Sequence, residues 1–140
     1  MTAITSSIQL RKLWWAGPLT VLTAVVGVLI VRSIAMTILT PPYGPGLEMI
    51  IISIVLTVIL CTAAVLVFAL VARFTKNPVR IYLMISSVFL VISFLPDIAT
   101  ASAPFPGAGW PYANSLMIMH VVAGLITVYM LIKLTVNENP

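Results

Sequence analysis

From Leu13 to Leu39 the chain carries a single charged residue, Arg32, and this run exceeds the roughly 20 apolar residues a helix needs to cross a bilayer core. Three further runs of the same kind follow, at about 47–72, 79–98 and 113–134. A chain of 140 residues that is 61% hydrophobic and 7% charged lacks the polar surface to cover a soluble globule, in which about 25% of residues are charged. Lipid must be its main solvent. The fold class is therefore all-α: one transmembrane domain over residues 1–140, an integral membrane four-helix bundle in up-down-up-down order, since no connection is long enough to carry a soluble domain.

The breaks between the runs are legible as chemistry. Thr40-Pro41-Pro42-Tyr43-Gly44-Pro45-Gly46 ends the first span, because prolines donate no backbone hydrogen bond and glycines relax the turn. Ala103 to Tyr112 forms a second Pro/Gly break with interfacial aromatics Trp110 and Tyr112. Between them lies a basic turn, Arg73-Phe74-Thr75-Lys76-Asn77-Pro78-Val79-Arg80. The third span runs to about Ile98, or on to Ser102, with Pro96 near its end and Asp97 just after that proline. Met1 to Lys12 resembles the start of a signal peptide, but the apolar run behind it is too long for one, so it reads as a retained first span with Trp14 and Trp15 at the headgroup level.

Arg11, Lys12, Arg73, Lys76, Arg80 and Lys133 all fall on one side of such a bundle, and the two Pro/Gly loops carry no basic residue. The positive-inside rule then makes both termini and the basic turn cytoplasmic, in a multi-pass protein of the cytoplasmic membrane. The net charge of +4 speaks of this orientation and not of nucleic acid, which asks for a dense basic face. Cys61 is the sole cysteine, so an internal disulfide is excluded.

Ionisable groups in lipid are costly and usually have a reason to be there. At about 1.5 Å per residue, Arg32 lies roughly 12 Å below the outer end of the first span and His120 roughly 10 Å below the outer end of the fourth. Glu48 and Asp97 sit near the outer ends of the second and third. All four spans thus bring one ionisable group to the outer half of the bundle, and Arg32, Asp97, His120 and Glu48 are the candidate ligand-binding residues. An ion pair of Arg32 with Asp97 or Glu48 is the expected arrangement. The alternative has Arg32 snorkelling to the outer headgroups with both acids wetted at the interface.

His120 shares a helical face with Ala123, Gly124 and Thr127, all small, which turns it into the bundle. There it would relay protons, bind a metal, donate to a ligand, or simply hydrogen-bond to a neighbouring helix. Haem is disfavoured, because a second axial ligand would have to come from Met117, Met119 or another protomer. One histidine and two carboxylates on separate helices form no diagnostic metal motif, so metal and cofactor stay unknown. Ser53, Thr57, Cys61 and Ala64 form a stripe of small residues in the second span, expected to let helices approach closely. The remaining methionines and aromatics read as filler.

The segment Ala72-Arg73-Phe74-Thr75, the third span and Met119-His120-Val121-Val122-Ala123 together resemble an uncharacterised family of small four-helix bacterial membrane proteins. That resemblance implies the four-helix fold and a bacterial cytoplasmic membrane, and brings no activity, cofactor or substrate with it. Pro96-Asp97 and the long loop after it depart from the family's pattern. Small multidrug exporters also have four spans, but they rely on a glutamate in the first, where this chain has Arg32. Three functions stay open: binding or transport of a small ligand or ion at the outer polar cluster; a structural or accessory subunit of a larger or homo-oligomeric membrane complex, with the cluster only registering helices; and a membrane enzyme using His120 with Asp97 or Glu48 as acid and base.

Overall fold

The computed structural model describes residues 7–38, 47–104 and 108–137. Four helices carry it: α1 (Leu13–Ile38), α2 (Leu47–Phe74), α3 (Pro78–Thr100) and α4 (Trp110–Thr135). Each is long and apolar enough to cross a membrane, the build of a small multi-pass membrane protein. Large apolar side chains such as Leu22, Ile30, Leu66, Val91 and Leu95 stand exposed along them, as lipid contact requires. The first Pro/Gly break, at 40–46, and part of the second, at 105–107, lie outside the described residues.

Of two boundaries at proline, the end of α3 falls within the expected range and the start of α4 differs from it. α3 runs through Pro96 to Thr100; a membrane helix tolerates the lost backbone bond because neighbouring groups re-satisfy it. Asp97 therefore belongs to the helix and is buried. α4 begins at Trp110, inside the second break, because Pro111 sits in the first turn, where an amide hydrogen is not needed. Gly109, at φ 148°, turns the chain into it with a backbone that L side chains rarely adopt.

Against the expectation of no strands, the chain ends pair. β1 (Ser7–Ile8) runs antiparallel to β2 (Val136–Asn137), and the Gln9 amide donates to the Thr135 carbonyl at 3.0 Å. The start of α1 is thereby stapled to the end of α4 through a short 3-10 turn, Leu10–Lys12. Above the staple the two helices lie close. A Cβ added at Gly27 would come 2.5 Å from Ile126 Cδ1 and 3.4 Å from Val122 Cγ1, so the end of the Ile126 side chain would have to move to admit it. Ala16, Thr20 and Ala24 are fully buried on the same helix.

Phe68, Val71, Tyr82 and Leu131 form the buried cluster at the end of the bundle that holds the basic turn. Phe68 and Tyr82 meet edge to face, centroids 4.8 Å apart, and this contact fastens α2 to α3 just inside the turn. Pro78 opens α3 there, while the Thr75 hydroxyl closes α2 onto the Val71 carbonyl at 2.6 Å.

Candidate functional site

Away from the turn, α2 and α3 are joined by few direct contacts, and a cleft of about 240 Å³ lies between them with α4 as its back wall. Its apolar lining includes Leu56 and Leu60 of α2, Ile85 and Phe89 of α3, and Leu116 and Met119 of α4. Leu56 and Phe89 are each more than half exposed, so the cleft opens toward lipid. A second, larger cavity between α1 and α2, about 560 Å³, is apolar apart from Thr62 and offers no recognition chemistry.

The polar groups of the first cleft come from all three walls. The small stripe Ser53, Thr57, Cys61 and Ala64 lines it from α2, so a row expected to close helices together borders a cavity as well. One member does bridge helices: the Cys61 sulfur lies 3.4 Å from the Thr127 hydroxyl of α4. His120 lines the cleft with Ala123, Gly124 and Thr127, the inward face its small neighbours predict.

His120 is held from behind. Its Nδ1 lies 2.7 Å from Asp97 Oδ2, with the carboxylate side chain 6% exposed and the imidazole 30%. With Asp97 ionised, the Nδ1–H donates, the ring is fixed in one tautomer and Nε2 is left as its remaining polar atom. That arrangement suits donation to an anion when the ring is protonated, or proton acceptance when it is neutral. Both residues were expected in the same half of the bundle, with Asp97 paired to Arg32, and here they meet each other.

The expected Arg32–Asp97 ion pair is not formed. Asp97 is engaged by His120, and Arg32 Nη1 donates instead to the Ser53 hydroxyl at 3.2 Å. Depth along two helices does not fix which way their side chains face, and the carboxylate turns to α4 rather than α1. Arg32 is 9% exposed with its Nε buried and, among the described residues, lacking a hydrogen-bond partner, so it does not snorkel free into solvent. Glu48 begins α2, but its side chain, and with it any Arg32–Glu48 pair, falls outside the described residues. Arg32 thus reaches the cleft through Ser53, which lines it, whereas His120 lines it directly.

Tyr82 was passed over as filler, yet it lines the cleft at 1% exposure. A phenol one turn inside a membrane helix, with Ser86 four residues on, is the sequence signal that pointed there. Among the described residues no group of three or more His, Cys, Asp or Glu side chains is placed to hold a metal.

No curated protein and no solved structure matches the chain. A family model does, across residues 8–135, and so takes in all four helices and every polar residue of the cleft. The uncharacterised family expected from the basic turn and the fourth span is thereby established: the chain belongs to DUF6069, a family of unknown function.

Proposed function

We propose that this protein binds a small amphipathic molecule drawn from the bilayer, its apolar body in the α2–α3 cleft and its polar end at the outer cluster. The helices cross the membrane in alternating directions, with both termini and the basic turn on the cytoplasmic side. Support for that orientation comes from the pairing of β1 with β2 at one end of the bundle and from Arg11, Lys12, Arg73, Lys76 and Arg80 clustering near the chain ends and the turn. The observation that carries the binding reading is a lipid-facing apolar cleft with a carboxylate-oriented imidazole in its wall.

In this reading His120 is the primary polar contact, Asp97 orients it, and Arg32 adds positive potential through Ser53. Glu48, at the start of α2, is the fourth residue of the proposed set. An anionic headgroup such as a carboxylate fits this set, because both groups that reach the cleft's outer end donate hydrogen bonds and one is permanently cationic. Binding and release at a lateral opening would also serve transport.

The test uses the purified full chain in phospholipid nanodiscs with dodecanoate as probe. Dodecanoate raises the melting temperature of the wild type by mass action. Gly124→Leu, which projects a side chain into the cleft, removes that rise, and His120→Ala reduces it. A rise that survives Gly124→Leu undiminished means the probe sits elsewhere, and the binding reading is lost. If His120→Ala instead disrupts the fold or assembly with no probe effect in the wild type, the accessory reading takes its place.

A further inference from the structure

The hydroxyls that line the cleft are committed, with one exception among those whose bonds are defined. Thr57 donates to the Ser53 carbonyl at 2.7 Å, Ser93 to Leu90 at 2.7 Å and Thr127 to Ala123 at 2.7 Å. The Tyr82 hydroxyl is buried and, among the described residues, meets no partner at hydrogen-bond geometry. Ser86, one turn further along α3, is near enough to interact with it but does not meet hydrogen-bond geometry. The ring cannot swing away to find water, because Phe68 holds it edge-on. A buried phenol ordinarily finds a partner, since it gave up water on burial.

We infer that the deep end of the cleft is a seat for a neutral hydrogen-bond-accepting oxygen, the carbonyl of a ketone, quinone or ester, with the Tyr82 hydroxyl donating to it. The inference rests on the cleft being a ligand site and adds the chemistry of what enters. A neutral acceptor is favoured over an anion because no Lys, Arg, Asp or Glu among the described residues lines the cleft, so an ion at that depth would go unpaired. Ser86 lies roughly 16 Å along α3 from Asp97, at 1.5 Å per residue. A molecule that meets both His120 and Tyr82 is therefore elongated, with an oxygen set well inside its apolar body.

The experiment compares 2-acetylnaphthalene with 2-ethylnaphthalene, which share a ring system and differ by a carbonyl in place of a methylene. Each is titrated against the full chain in nanodiscs, with affinity expressed per mole fraction of probe in the bilayer. The wild type binds the ketone about five- to tenfold more tightly than the hydrocarbon, the worth of one hydrogen bond. Tyr82→Phe brings the ketone down to the hydrocarbon's affinity, leaves hydrocarbon binding intact and does not lower the melting temperature without probe. Ser86→Ala keeps the ketone preference. Equal affinities in the wild type, or a preference that survives Tyr82→Phe, overturn the inference while the hydrocarbon's binding still upholds the cleft. A large drop in melting of Tyr82→Phe alone also overturns it, by exposing an internal partner. Saturable binding of neither probe removes the seat and the cleft reading together.

Discussion

The α1–α4 seam and the α2–α3 face are built from similar residue types and end up opposite in character. In the seam, a Cβ at Gly27 would press on the end of the Ile126 side chain, and Ala16, Thr20 and Ala24 are fully buried. Across the other face, Phe68 and Tyr82 touch near the basic turn, and beyond them the helices admit a cavity. The two helices joined by the shortest link are thus the less tightly packed pair. Without a hydrophobic drive between helices in lipid, close packing follows small residues that let a neighbour approach, as Gly27 admits Ile126. Gly124 is just as small, yet Leu90 stays at an ordinary contact distance from it and a space remains beside them.

The sharpest way to break this comparison is to overfill the seam. Gly27→Leu has nowhere to put its side chain, and overpacking of this kind costs about 1–3 kcal/mol, with more when backbones must part. We expect the largest loss of thermal stability in the chain, read by melting of the purified protein, and no change in the cleft's preference among probes. A Gly27→Leu protein as stable as the wild type would mean that α1 and α4 are not in contact there.

Next in size is the pair behind the cleft. Asp97→Ala leaves the His120 Nδ1–H without its acceptor, an unmet buried donor worth about 1–3 kcal/mol, whereas Asp97→Asn retains an oxygen in the same position and costs less. The measurement is melting of both variants beside His120→Ala. A double variant, Asp97→Ala with His120→Ala, should cost less than the sum of the two single changes, because the lost bond is counted once. Strict additivity would show that the two side chains do not act on each other.

How much of this could be read beforehand depends on direction. Four spans follow from the apolar runs, and depth along each follows from the rise per residue, which puts Asp97 and His120 among four groups at similar depth without saying which of them pair. Rotation about each helix axis was not legible, because helices that are apolar nearly all round give no face signal. That is why Asp97 was matched to Arg32 when it turns to His120. His120 escaped this difficulty through its small neighbours Ala123, Gly124 and Thr127, which mark an inward face. Tyr82 had only Ser86, four residues on, beside it as a marker, and two-residue strands at Ser7–Ile8 and Val136–Asn137 are too short to show any period.

Arg32 sharpens the comparison from the α1 side, because among the described residues it has one hydrogen bond, to Ser53, and a buried Nε with none. Arg32→Met keeps the length of the stem and removes the charge, and replacing a poorly satisfied buried ion by an apolar residue is often close to neutral. We expect a change of about 1 kcal/mol or less in stability, together with a weaker dodecanoate effect. A loss of about 3 kcal/mol or more would instead reveal a buried ion pair with Glu48, which Glu48→Gln would then reproduce.

The smallest effect, and the most direct contrast, lies in two glycines given the same methyl group. A Cβ at Gly124 would sit 3.8 Å from Leu90 Cδ1, an ordinary contact at the edge of the cleft, whereas one at Gly27 collides with Ile126. Glycine in a helix interior is less favourable than alanine by about 1 kcal/mol. Gly124→Ala should therefore hold or raise the melting temperature by up to that amount, and Gly27→Ala should gain less, because the Ile126 methyl must move aside to admit it. The difference is what matters: propensity is common to both sites, so it cancels, and what remains measures the room on each side of the bundle. Equal responses would mean that the cleft is as closed as the seam, leaving no space for a ligand between α2 and α3.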